Sequence, residues 1–241
     1  MQNIIKDREA GKANLTGMGT IGVSAREAQD ARALTCGMIA CVDDAIGTVL
    51  RALDRGGKRN DTVVIFTSDH GDHLGDHRLM LKGAEQYQSI VRVPFIWSDP
   101  KASGKPKRTN ALGSTMDISA TVLERARIEP FSGMQAKSLL PAIEHGAAVR
   151  DSVFIQYDHQ ASNPGTNVPA RVHSLIDERY RLSVFHGTGW GELYDLVDDP
   201  GEFENLWDDP AHAGTRARMT ERLLLTEIEH VDRVPLPTRR A

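Results

Sequence analysis

Cysteine is nearly absent: the 241 residues hold two, Cys36 and Cys41. Five residues apart in a helical pattern, they point in different directions, so an intrahelical disulfide cannot close and no disulfide framework exists. Excess positive charge is also missing, with 29 Lys and Arg against 33 Asp and Glu and a net charge of −4. A nucleic-acid partner therefore has no electrostatic footing. No run of apolar residues approaches the roughly 18 that span a bilayer, and the polar start MQNIIKDREAGK is not a signal peptide. The chain thus reads as cytoplasmic, with no membrane partner. Internal repeats and low-complexity segments are lacking too.

What is present is an ordinary globular composition, 40% hydrophobic and 26% charged, enough to bury a core. Residues 1–23 are Gly-rich and weakly patterned. Ser24 and Glu27 then form a capping-box pair. Apolar residues at Ala31, Leu34, Met38, Cys41, Val42, Ala45, Ile46, Val49 and Leu53 predict an amphipathic helix to about Arg55, ended by Gly56 and Gly57. Cys36 and Cys41 fall on its apolar side and are expected in the core. DTVVIFTS and VPFIWS read as short strands buried on both faces. Helices are predicted near 117–127 and 138–145. This alternation predicts an α/β fold with mostly parallel strands. Near residue 150 the texture changes. SVFIQYD, RVHSLID, YRLSVFH and GELYD predict a small antiparallel sheet, a closing helix spans about 213–231, and PLPTRRA cannot extend it. The expected domains are 1–149 and 150–241.

The densest chemistry follows the first strand. In TSDHGDHLGDHRLMLKG, three of the nine histidines (His70, His73, His77) alternate with Asp69, Asp72 and Asp76. Asp69 and His70 stand at a strand end, where open α/β sheets bind ligands, and Gly71 lets the chain turn sharply behind them. A helical zinc site on His70, His73 and His77 is disfavoured by Gly71 and Gly75, and an EF-hand spacing is missing. By spacing alone, metal binding and a solvated polar loop stand about level. Lys82 adds a point charge suited to sulfate or phosphate oxygens.

TSDHGDHLGDHRLMLKG followed by QYQSIVRVPFIW resembles the second signature region of the sulfatases, in the alkaline-phosphatase-like superfamily. ACVDDAIGTVLRALDRGGKRNDTVVIFTSDHG, TMDISATVLERARIEPFSGMQAKSLLP and RYRLSVFH with GELYDLVDDPGEFENLW resemble further passages in the same order, with Ala120 where the family has Pro. The resemblance implies part of an α/β/α sandwich plus a small C-terminal antiparallel sheet with a helix. It also implies a hydrolase of sulfate esters, with phosphate or phosphonate esters as alternatives and a small-molecule ester as partner. Asp69 and His70 would be ligands of one divalent metal ion, calcium first, with Mn²⁺, Mg²⁺ or Zn²⁺ as alternatives. Lys82 would be catalytic, steadying the leaving oxygen. His73 and His77, like Asp72 and Asp76, would stand behind the ligands and fix the loop.

The family nucleophile lies in a C-x-P/A-x-R motif, and this chain has no such motif. Cys36 stands in CGMIA and Cys41 in CVDDA, while Asp43 and Asp44 lie mid-helix rather than at a strand end. Two readings follow: a partial hydrolase site lacking its nucleophile, or a non-catalytic remnant that retains the metal-binding motif. Either would leave apolar surface bare, predicting self-association or an upstream N-terminal half to cover it.

Overall fold

The structure, a computed structural model, describes residues 21–102, 106–162 and 169–231. The sequence readings at residues 1–20 and at the PLPTRRA tail lie outside these. The described chain divides into two compact units, residues 21–102 and residues 106–162 with 169–231. Residues 106–149 therefore group with the C-terminal sheet, ahead of the change of texture at 150.

The first unit opens with helix α1, Ala25–Arg55. Its start is the anticipated capping box: the Ser24 side chain accepts from the Glu27 N–H at 3.2 Å, and the Glu27 carboxylate accepts from the Ser24 N–H at 2.8 Å. Strand β1, Val64–Thr67, leads into the Asp/His loop. A one-turn helix α2, Gln88–Val91, follows, then strand β2, Phe95–Ser98. The strands pair antiparallel, Val64 opposite Ser98 and Thr67 opposite Phe95. This corrects the parallel expectation for the first unit. A parallel return needs a crossover of a dozen or more residues, usually a long helix. Here the connection spends its length on the polar loop and a single turn.

Two further expectations fail in this unit. Neither strand is buried on both faces: Phe66, Phe95 and Ile96 are exposed. Cys36 and Cys41 are exposed rather than in the core. The cause is common to both. The apolar side of α1, including Leu34, Met38, Ile39, Val42 and Val49, is open, and Ala28 is the helix's one buried residue. An 18-residue window of α1 also has a mean hydropathy of 1.6, so by length and composition it could cross a membrane. Asp43 and Asp44 interrupt its apolar run, and none of that window is buried in the structure.

The second unit holds helices α3, Asp117–Ala126, and α4, Leu140–His145. Asp117, fully buried, ties them together. It accepts from the Ser114 N–H at 2.9 Å and the Lys137 N–H at 2.8 Å, and it pairs with Arg150. Strands β3, Ser152–Ser162; β4, Pro169–Asp177; β5, Tyr180–Phe185; and β6, Gly191–Asp195, form one antiparallel meander. Helix α5, Ala213–Glu229, closes the unit. Rows of the sheet alternate in chemistry. Leu175, Leu182 and Leu193 are paired neighbours and pack with Leu206, Met219 and Leu223. On the opposite face, Arg181 is wholly buried, with Glu192 at 2.9 Å, the Ser183 hydroxyl at 2.6 Å, and Glu202. Burial of a guanidinium is tolerated because its charge and N–H groups meet carboxylates.

Candidate active-site loop

The loop from Ser68 to Lys82 leaves the end of β1 and returns as a compact knot. Its base is pinned where the Gly71 N–H donates to the Ile90 carbonyl at 2.8 Å. A side chain at Gly71 would overlap the Ser89 carbonyl, so only glycine permits this approach to α2. At its far side the loop is stitched to the start of α1. The Val23 N–H donates to the Arg78 carbonyl at 3.0 Å, and Ile21 bridges to Leu79.

Asp69, His70 and Lys82 come together. The His70 Nε2 lies 3.4 Å from Asp69 Oδ2, and the Lys82 ammonium meets the same Nε2. The opposite ring nitrogen, Nδ1, is 2.8 Å from the Gly71 carbonyl. A carbonyl can only accept, so Nδ1 donates to it, and Nε2 stands between the carboxylate and the ammonium. A backbone partner on one nitrogen is the usual arrangement of a metal-binding histidine, and here the second nitrogen faces the Lys82 ammonium. The His70 N–H donates to Asp69 Oδ1 at 2.9 Å and holds that carboxyl below the usual range, so it stays ionised. An anionic oxygen beside an imidazole nitrogen fits a divalent cation. Among the described residues, no third His, Cys, Asp or Glu joins them.

His73 and His77 lie in the same loop and pack against Ser89 and Tyr87. His73 is 4% exposed, with Nδ1 3.2 Å from the Ser89 hydroxyl and Nε2 buried without a hydrogen bond. Burial pushes its imidazole below the ordinary value, against the pull of Asp76 and Asp72. His77 stacks on Tyr87, ring centroids 3.8 Å apart. Asp72 Oδ1 accepts the N–H groups of Leu74, at 2.9 Å, and Leu81, at 3.0 Å. The loop is conformationally tense. Leu74, His77, Arg78 and Leu81, four of the six non-glycine residues with positive φ among those described, lie within it. Sequence reasoning missed this tension and the role of Asp72 within it. The only available signal was the crowding of Asp with Gly, which marks turns without specifying which N–H each carboxylate takes.

Comparison with known proteins decides the family. The Sulfatase family profile matches residues 6–128, just over half the chain, and the profile for the C-terminal part of N-sulphoglucosamine sulphohydrolase matches residues 73–229. The chain belongs to the sulfatase family. It is 33% identical over 198 residues to the uncharacterized sulfatase YidJ of Escherichia coli, covering 82% of this chain and 37% of that one. Its fold is similar to the crystal structure of a phosphonate monoester hydrolase of Agrobacterium radiobacter, with a TM-score of 0.76 and 30% identity, covering 87% of this chain and 45% of that one. A second solved structure, a protein in complex with its substrate D-glucosamine-2-N,6-O-disulfate, matches with a TM-score of 0.72 and 25% identity over 83% of this chain and 41% of that one. The family fold is thus the alkaline-phosphatase-like one, here as mixed α/β structure with a C-terminal antiparallel sheet and helix. The sulfatase chain spans roughly two fifths of these relatives' length.

Proposed function

We propose that this sulfatase chain carries the cation-holding and leaving-oxygen side of an ester hydrolase site acting on sulfate esters, with phosphate and phosphonate esters as related substrates. The observation that carries the reading is the meeting of Lys82, His70 and Asp69 at one point of the loop beyond β1. Asp69 and His70 hold one divalent cation, calcium first among the candidates. The cation, when bound, supplies Lewis acidity toward a sulfate or phosphate oxygen. Lys82 binds another oxygen of the same group and stabilises charge on the departing ester oxygen as that charge develops. His73 and His77 keep the loop in shape. No residue of this chain is assigned as nucleophile, because Cys36 and Cys41 are outside any C-x-P/A-x-R context.

The similarity to a phosphonate monoester hydrolase on one side and to a protein bound to a sulfated glucosamine on the other supports leaving both ester classes in view. The test is a hybrid enzyme in which residues 21–231 replace the matching part of the Agrobacterium radiobacter phosphonate monoester hydrolase. Aryl sulfate, aryl phosphate and aryl phosphonate esters are supplied with calcium, manganese or zinc. Lys82→Ala and Asp69→Asn should each lower kcat by about 100-fold or more, the scale set by removing one electrostatic group from an active site. Hydrolysis by the hybrid that survives both substitutions would sink the proposal.

A further inference from the structure

We propose that Asp72 is the positioning residue for Lys82, acting through the backbone of Leu81; the idea rests on the role given to Lys82 above. Leu81 immediately precedes Lys82 and adopts φ 62, a left-handed conformation that a leucine avoids. Its side chain is 56% exposed, so core packing does not impose that conformation. Two hydrogen bonds do. Asp72 Oδ1 accepts the Leu81 N–H at 3.0 Å, and the His73 N–H donates to the Leu81 carbonyl at 3.0 Å. The same Asp72 oxygen takes the Leu74 N–H at 2.9 Å, fixing the outgoing limb of the loop to the returning one. Neighbouring Gly71 is anchored to Ile90, so Asp72 projects from an immobilised point. The turn at Leu81 then delivers the Lys82 ammonium to His70 Nε2. Strain held in place by its surroundings is commonly found where a side chain must be aimed. Here the hydrogen bonds on both sides of Leu81 offset it.

Zero-length carbodiimide coupling reads this placement directly, independent of hydrolysis. It joins a carboxylate to an amine in contact range, the reagent taking up the water released. Asp69 and Lys82 are both exposed and both adjoin His70 Nε2, so they should form an amide detectable by peptide mass spectrometry. Asp61 and Lys101, 3.7 Å apart in the same unit, provide the internal reference. In Asp72→Ala the 69–82 amide should fall at least about fivefold relative to the 61–101 amide, because coupling depends steeply on proximity. Asp72→Asn, which retains an acceptor oxygen, should restore it. An unchanged ratio in Asp72→Ala overturns the proposal, as does an equal loss in Asp72→Asn. A parallel fall of both amides would make Asp72 a support of the fold alone, and a parent chain forming only the 61–101 amide would refute the placement itself. If instead the ester-hydrolase reading fails, the hybrid's hydrolysis shows it while this ratio stays intact.

Discussion

Gly71 and His73 show how single residues set the loop. An alanine at 71 would drive its methyl into the Ser89 carbonyl and break the Gly71–Ile90 hydrogen bond. Gly71→Ala should therefore destabilise the first unit by about 2 kcal/mol or more, read as a lower denaturant midpoint with unchanged slope. His73 gives a pH dependence with a definite sign. The unfolded chain takes up a proton as pH falls through about 6.5, whereas the buried ring resists protonation. Its contribution is complete above about 6.5 and declines as pH falls toward the depressed folded value. Asp72 and Asp76 oppose the shift and His77 reinforces it. Replacing His73 with Gln should flatten the fall in melting temperature between about pH 7 and pH 5 relative to the parent. Identical pH profiles would show that this ring does not couple to folding.

At the scale of elements, the start of α1 and the Ser68–Lys82 loop form one piece. Gly75 has φ 92, and a Cβ there would overlap that of Ala28 on the first turns of α1. Gly75→Ala should cost about 2 kcal/mol, combining backbone strain with the clash. Adding Ala28→Gly should recover the clash part only, so a double-mutant cycle measured by thermal denaturation separates the two. The helix itself was legible in the sequence because capping and periodicity are local signals: Ser24, Glu27 and the apolar steps to Leu53 mark it fully. Strand pairing was not. VVIFT and VPFIW are apolar at successive positions, a pattern that suggests parallel burial but does not encode direction; the residues between them form the polar loop and a single turn rather than a crossover helix. Nor could spacing show Lys82 against His70, twelve positions away; family resemblance suggested the pair, and the left-handed turn at Leu81 brings it about. The exposed cysteines were misread because an apolar helix face tells what it would bury against, not whether that neighbour is present.

For the molecule as a whole, apolar residues stay exposed in both units, among them Phe131, Phe203, Leu225 and Ile228 in the second. The second encloses Leu175, Leu182, Leu193 and Met219 fully, while the first leaves one side of α1 and part of the β1–β2 ribbon open. The purified chain should self-associate and bind an apolar dye, with Leu34→Glu and Val42→Glu together reducing both. A monodisperse monomer without dye binding in sedimentation and fluorescence would count against this. Within the second unit, the charged row around Arg181 has a consequence for the fidelity of folding. Strand neighbours alternate Leu182 toward the apolar core and Arg181 toward Glu192 and Glu202. A slip of β5 by one residue would plunge the guanidinium among leucines and strand two carboxylates beside Leu182. Misthreading is thus rejected by charge as well as by shape, and the meander proofreads its own alignment.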